Sequence, residues 1–239
     1  MRFKHLVKRL FSPFTLRIRA GALQGRRWIV TSGSRFLKGT YEPLQSQSFQ
    51  QLLQPGEIVF DVGAHVGYYT VLSSVLVGPS GRVISFEPVA ANLAYLRRHV
   101  LINECDNVSI LPICVGDRAG TAQFNDSEGT GVGHLDDDGS LEVQVRPLDE
   151  LIGSGELPVP QFIKIDVEGA EMQVLRGAEQ LLSQHHPSLI LSTHGDELDA
   201  TCWSWLRDRG YDLDHLEPDV IVARKRIAQE SPRRQFAAA

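Results

Sequence analysis

Two segments far apart in the chain share one pattern, Phe60-Asp61-Val62-Gly63-Ala64-His65-Val66-Gly67 and Phe162-Ile163-Lys164-Ile165-Asp166-Val167-Glu168-Gly169-Ala170-Glu171. In each, an apolar run rich in β-branched residues ends in an acidic residue and then in small ones. Such a run lacks the alternation of a strand with one wet face. It reads as a parallel strand covered on both sides, which delivers a polar group to its carboxyl edge before the chain turns into a helix. In open α/β sheets, ligands sit outside those edges where the strand order reverses. Two such edges locate a cleft before any chemistry is assigned.

The rest of the chain alternates as a doubly wound sheet requires. Strands are expected at 58–62, 82–86, 108–115, 163–166 and 189–192. Helices are expected at 68–77, 88–102, 171–183 and 201–209, and 211–213 with 220–222 form a closing hairpin. Residues 118–150 interrupt the alternation, with 121–124 and 141–145 reading as an inserted β-hairpin. Its loop, 125–140, is too long for a tight turn and is placed to cover the cleft. The run Asp136-Asp137-Asp138-Gly139 lacks calcium-loop spacing and reads as a solvated loop. There is no internal repeat.

Charge divides the chain more sharply than its net value of −5. Residues 1–41 carry ten Lys and Arg and no acid, whereas 42–222 carry nine Lys and Arg against 28 Asp and Glu. Residues 223–239 are again basic. We therefore expect a basic N-terminal arm over 1–41, a main domain over 42–223, and a basic, disordered tail over 224–239. Phe3, Leu6, Val7, Leu10, Phe11 and Phe14 recur at helical spacing, so the arm reads as an amphipathic helix. Either it docks on the acidic body or residues 1–20 make a peripheral membrane contact.

No apolar run approaches the ~18 residues that span a bilayer. Residues 1–20 are too basic, and too interrupted by Pro13, for a secretory signal, so a cytoplasmic chain is expected. Cys105, Cys114 and Cys202 are odd in number and widely spaced, which reads as three reduced thiols and neither a disulfide framework nor a zinc cluster.

The first edge lacks the G-x-G-x-x-G of a pyrophosphate site and has an acid, Asp61, at the strand end. That arrangement suits a ligand without phosphates, with Gly63 and Ala64 leaving room for backbone contact and a carboxylate to attract an ammonium or sulfonium. Glu87, at the end of the second strand, can accept hydrogen bonds from both hydroxyls of a ribose. Asp117, past the third strand, can accept from an exocyclic adenine amine. An acid recurring at three successive strand ends exceeds what helix capping needs, and the ordered set describes S-adenosylmethionine better than NAD.

On these residues the chain resembles the FkbM family of S-adenosylmethionine-dependent methyltransferases. The resemblance is carried by Gly39-Thr40-Tyr41-Glu42, residues 55–64, Phe86-Glu87-Pro88, Val115-Gly116-Asp117, residues 146–151 and residues 163–171. It implies the class I methyltransferase fold, a Rossmann-like, doubly wound seven-stranded sheet with one antiparallel strand. It also implies methyl transfer, mostly to oxygen, in making glycans, glycolipids and secondary metabolites. Asp61, Gly63, Ala64, Gly67, Glu87 and Asp117 carry over as cofactor contacts, with His65 and Pro88 beside them. The family usually has Asn at His65, so His65 reads as replacing an amide donor at the cofactor turn. It has Glu at Ser192, so a carboxylate is missing from the fifth strand edge.

Methyl transfer to a hydroxyl needs an oxygen held in line with the methyl carbon and a base for its proton. Asp166, Glu168 and His194 are the catalytic candidates. His194 can accept a proton near neutrality, or it is simply satisfied by the Gly195 turn. Glu171 opens a helix, where its charge favours the dipole. Carboxylates around a cleft are compatible with Mg²⁺, but the sequence shows no dedicated cage and no metal ligand is assigned. The expected acceptor is a small molecule or glycan. The acidic body and the lack of an Asn/Asp-Pro-Pro-aromatic motif argue against nucleic acid. Two alternatives stand beside the enzyme reading: a non-catalytic S-adenosylmethionine-binding module and a nicotinamide-dependent oxidoreductase.

Overall fold

A seven-stranded sheet runs through the computed structural model, which describes residues 14–125, 134–135 and 141–226. The chain enters through a hairpin of β1 (Thr15–Arg17) and β2 (Arg27–Ile29), then α1 (Ser34–Lys38) and α2 (Pro43–Leu52). Next come β3 (Ile58–Val62), α3 (Tyr68–Val77), β4 (Arg82–Phe86), α4 (Ala90–Ile102) and β5 (Val108–Leu111). A second sheet follows, built from β6 (Cys114–Val115), β7 (Gly120–Asn125), β8 (His134–Leu135) and β9 (Leu141–Arg146). The chain returns through α5 (Leu148–Gly153), β10 (Phe162–Ile165), α6 (Glu171–Arg176), α7 (Glu179–Gln184) and β11 (Ser188–Ser192). It closes with α8 (Asp196–Asp208), β12 (Tyr211–Glu217) and β13 (Val220–Lys225).

The main sheet has the order β12-β13-β11-β10-β3-β4-β5. β13 is antiparallel to both neighbours and the other pairings are parallel, so one strand runs against the rest. This is the doubly wound sheet that the alternation implied, with the single reversed strand that the family resemblance implied. The order reverses between β3 and β10, which sets the two acidic motifs side by side.

Alternation along the strands feeds two cores. Phe60, Val62, Ile163, Ile165, Leu189 and Leu191 pack with the helices after β9. Val59, Val83, Phe162 and Ile190 pack on the opposite face with Phe49 and the apolar side of α3. Burial on both faces is the reason these strands read as continuous apolar runs.

Several elements depart from their expected bounds, each for a local reason. The expected strand 108–115 is two strands in two sheets. Pro112, which has no N–H for a ladder, follows β5, and Cys114–Val115 pairs with β9 instead. The expected helix 171–183 breaks at Gly177, where a Cβ would lie 1.9 Å from the Gly116 carbonyl oxygen. The second piece, α7, is capped from a distance, with Asp149 accepting from the backbone N–H groups of Gln180 and Leu181 at 2.8 and 2.9 Å. Helix α8 begins five residues before the expected start at 201, because its acidic first turn suits the dipole but hides the apolar period. The inserted hairpin is present as β7 paired with β9. Its loop falls largely outside the described residues, as do the Asp136–Asp138 run, the expected helix of residues 3–14 apart from Phe14, and residues 227–239 of the tail.

Residues 14–41 are folded onto the body. Trp28 and Phe36 join the core with Phe49 and Val59. The Trp28 indole stacks on His99 at 3.6 Å between ring centroids. His99 is fully buried, accepts from the Ile29 N–H at 3.1 Å and donates to the Val66 carbonyl at 2.7 Å. One imidazole thus ties the N-terminal hairpin to the turn after β3. Among the described residues, no helix is long and apolar enough to cross a membrane.

Candidate active site

The carboxyl edges of β3, β4 and β10 open into a cleft of about 410 Å³. Its floor is the turn after β3. Gly63 takes φ 78° and lies so close to the chain after β10 that a Cβ would sit 1.8 Å from the Asp166 carbonyl oxygen. His65 follows at φ 49°, a left-handed conformation that Asn and His tolerate better than most residues. The same geometry would suit the Asn that the family resemblance leads one to expect here.

Glu87 ends β4 and is almost fully buried beside the turn. One oxygen accepts from the His65 backbone N–H at 2.8 Å. The other accepts from the Val89 N–H at 2.8 Å and the Asn92 amide at 3.2 Å. Burial raises its pKa above the ordinary carboxylate range, against the pull of these donors. Pro88 and Val89 stay extended, so α4 starts at Ala90 and leaves that wall to the cleft.

Gly63, Ala64, His65, Glu87, Pro88, Asp166 and Glu168 all line the cleft, as the sequence implied. Three of the expected cofactor residues do not. Asp61 is fully buried on the α3 face, where it accepts from Thr70 Oγ1 at 2.6 Å. Gly67 sits at the start of α3 with φ 92° and shapes the turn from below. Asp117 is exposed beyond β6, carried off when the chain leaves the main sheet at Pro112. Ile113, Cys114 and Val115 line the cleft in its place.

Lys164 is a further site residue, and its signal in the sequence is a charge inside a buried strand. Its Nζ donates to the Gly63 carbonyl at 3.1 Å and stands 3.7 Å from Asp61 Oδ1 and 3.3 Å from Asp166 Oδ2. Burial alone would lower the ammonium pKa, but Asp166, Asp61 and Glu42 outweigh it and raise it. Glu42 is also a further site residue. It lines the cleft with φ 39° and accepts from the Tyr69 hydroxyl at 2.7 Å, and burial raises its pKa against the lowering effect of Tyr69 and Tyr41.

Asp166 and Glu168, which line the cleft, come together with His194, which does not, with ligand atoms within 4.8 Å of one another. His194 Nε2 is 3.2 Å from Glu168 and 3.8 Å from Asp166. Its Nδ1–H donates at 2.7 Å to Glu171, whose side chain is wholly buried. That hydrogen bond, together with the charges of Glu168 and Asp166, outweighs burial and pushes His194 up to about 9. Its expected titration near neutrality is therefore displaced, and at pH 7 the ring is protonated. The helix-dipole account of Glu171 is incomplete for the same reason, because its carboxylate is committed to His194. Two carboxylates and an imidazole could ligate a divalent ion, but the proton on His194 competes with it.

Residues 61–213 match the family described as the methyltransferase FkbM domain. The hexuronic acid methyltransferase AglP of Haloferax volcanii is 28% identical over 130 residues, 53% of this chain and 52% of that protein. The 2-O-methyltransferase NoeI of Sinorhizobium fredii is 24% identical over 174 residues, 62% of this chain and 70% of that one. The chain thus spans about half the length of the first relative. The crystal structure of methyltransferase FkbM from Methylobacillus flagellatus KT superposes with a TM-score of 0.56 at 22% identity, covering 80% of this chain and 52% of that one, and it shares the fold.

Proposed function

The chain belongs to the FkbM methyltransferase family, and we propose that it is an S-adenosylmethionine-dependent O-methyltransferase acting on a hydroxyl of a sugar or sugar-bearing small molecule. The observation that carries this reading is Glu87, a buried carboxylate at the carboxyl edge of β4 that lines the cleft and accepts from the turn after β3. The cleft fits the cofactor by its chemistry. Acids on several sides favour a cationic ligand and disfavour a pyrophosphate, which counts against the nicotinamide alternative.

Glu87 would accept the ribose hydroxyls, and Pro88 and Val89 with Ile113, Cys114 and Val115 would enclose the adenine. The methionine end would lie over Gly63, Ala64 and His65, with Glu42 and Asp166 facing its ammonium. Asp61 and Gly67 would act from beneath, through Lys164 and the turn. When bound, the cofactor supplies a sulfonium methyl, which the acceptor oxygen takes while the C–S electron pair stays on sulfur. The acceptor hydroxyl would sit against Asp166 and Glu168, and its proton would pass to the neutral form of His194 at Nε2. The name of AglP, a hexuronic acid methyltransferase, supports a sugar acceptor, and that of NoeI, a 2-O-methyltransferase, supports transfer to oxygen.

The test is transfer of isotope-labelled methyl from S-adenosylmethionine to p-nitrophenyl β-D-glucuronide and p-nitrophenyl β-D-glucoside. An alkali-stable methyl ether supports the reading. An alkali-labile methyl ester on the glucuronide, with no ether on either sugar, would contradict transfer to a hydroxyl.

A further inference from the structure

We propose that Glu171, which does not line the cleft, is the positioning residue of the proton transfer: it holds His194 through Nδ1 so that Nε2 faces Glu168 and Asp166, the cleft-lining carboxylates against which the acceptor would sit. This rests on the methyltransferase reading above. The geometry is specific. Glu171 Oε1 receives the His194 Nδ1–H at 2.7 Å and the Gly169 backbone N–H at 3.1 Å, so the carboxylate itself is fixed. Its Oε2 is buried with no hydrogen-bond partner among the described residues. A wholly buried carboxylate with one oxygen unmatched is costly unless a cation stands against it, and the cation in contact with it is the His194 imidazolium.

Consecutive left-handed residues, Glu168 at φ 54° and Gly169 at φ 100°, turn the chain so that one peptide serves Glu171 while the Glu168 carboxylate reaches Nε2. The groups facing His194 are Glu171 on α6 and Asp166 and Glu168 after β10. Lys164 lies behind Asp166, and the Cys202 thiol of α8 lies near Glu171. A base oriented by a buried carboxylate keeps its tautomer and accepts the acceptor's proton at the nitrogen that faces it. The hydroxyl proton leaves oxygen as the new C–O bond forms, and it ends on Nε2 as an imidazolium flanked by three carboxylates.

The experiment combines ¹⁵N NMR titration of His194 with pH profiles of kcat/KM for wild type, Glu171→Gln, His194→Gln and the double variant. p-Nitrophenyl β-D-glucuronide is the acceptor. In wild type the ring titrates near 9, and above that pH its proton sits on Nδ1. Glu171→Gln lowers the midpoint by at least a full unit, moves the rising limb of kcat/KM to lower pH with it and cuts the plateau roughly 10²-fold. The double variant is no worse than the single His194→Gln, and S-adenosylhomocysteine binding stays within a few-fold in every variant. A wild-type midpoint near 6.5, or a neutral ring protonated on Nε2, overturns the proposal even if no variant folds. So does a limb that stays in place in Glu171→Gln. Absence of methyl transfer by the wild type would sink the methyltransferase reading, while the NMR titration would still decide the role of Glu171.

Discussion

Lys164 and Asp61 face each other in register on adjacent parallel strands, with the ammonium 3.7 Å from the carboxylate and both side chains in the core. The same ammonium lies 3.3 Å from Asp166 and donates to the Gly63 carbonyl. One buried cation therefore joins the two strand-edge motifs and pins the glycine turn to the chain after β10. Thr70 continues the seam to Asp61 and Ser85 at 2.6 and 2.9 Å. A charge at this depth is tolerated because its partners are fixed.

Lys164→Met leaves Asp61 and Asp166 without their cation. The expected loss is about 3–5 kcal/mol of folding stability, because an uncompensated buried charge costs more than the pair itself is worth. Adding Asp61→Asn recovers part of it. Urea unfolding measures both, and a single variant within about 1 kcal/mol of wild type would contradict a structural role for the pair.

His99 predicts an acid-sensitive fold. Burial lowers its pKa from 6.5 to about 4, against the raising effect of the Val66 carbonyl. The folded state thus binds the proton more weakly than the unfolded chain does. The stability that comes from keeping the ring neutral is complete above pH 6.5 and is lost as pH falls toward 4. The window is worth roughly 3 kcal/mol. Melting curves across that range should flatten in His99→Gln, and an equal slope in wild type and variant would count against the assignment.

Gly63→Ala places a methyl against the Asp166 carbonyl at a left-handed backbone position. We expect a marked fall in melting temperature and loss of S-adenosylhomocysteine binding. Gly153→Ala, where nothing lies within 4 Å of the added carbon, is the matched control and should change neither. Equal behaviour of the two variants would show that the turn tolerates a side chain.

Chelation should leave turnover unchanged at neutral pH. Protonated His194 already stands among Asp166, Glu168 and Glu171, where a divalent ion would have to displace its proton. The check is methyl transfer with and without EDTA, followed by Mg²⁺ or Mn²⁺. Activity that disappears with EDTA and returns with either ion would replace the imidazolium account with a metal one.

The parts of the fold legible in the sequence were those set by strand burial. Phe60 to Val62 and Phe162 to Ile165 are buried on both faces, so their type and direction could be read locally, and Gly63 and Asp166 line the cleft beyond them, whereas Asp61 lies inside its strand and off the cleft. What could not be read depends on where the chain goes next. Pro112 sends the third edge into another sheet and takes Asp117 with it, a choice settled by pairing with β9. Gly177 breaks a helix because of Gly116, a contact far away in sequence. Glu42 and Glu171 meet partners brought together by the topology, so each looks ordinary in its own segment, whereas Lys164 carries a local signal as a charge inside a buried strand. Trp28, from a stretch that charge marks as an arm, makes its core contact with His99 of α4 in the body.

The central claim is that the cleft beside Glu87 holds S-adenosylmethionine. The most direct test is calorimetric titration with S-adenosylhomocysteine, run on wild type and Glu87→Ala with NADH as the control ligand. Micromolar binding to wild type is expected, with a loss of roughly 10-fold or more in the variant as charge-assisted hydrogen bonds are removed, and no heat with NADH. Binding of NADH without S-adenosylhomocysteine, or identical affinities in wild type and Glu87→Ala, would contradict it.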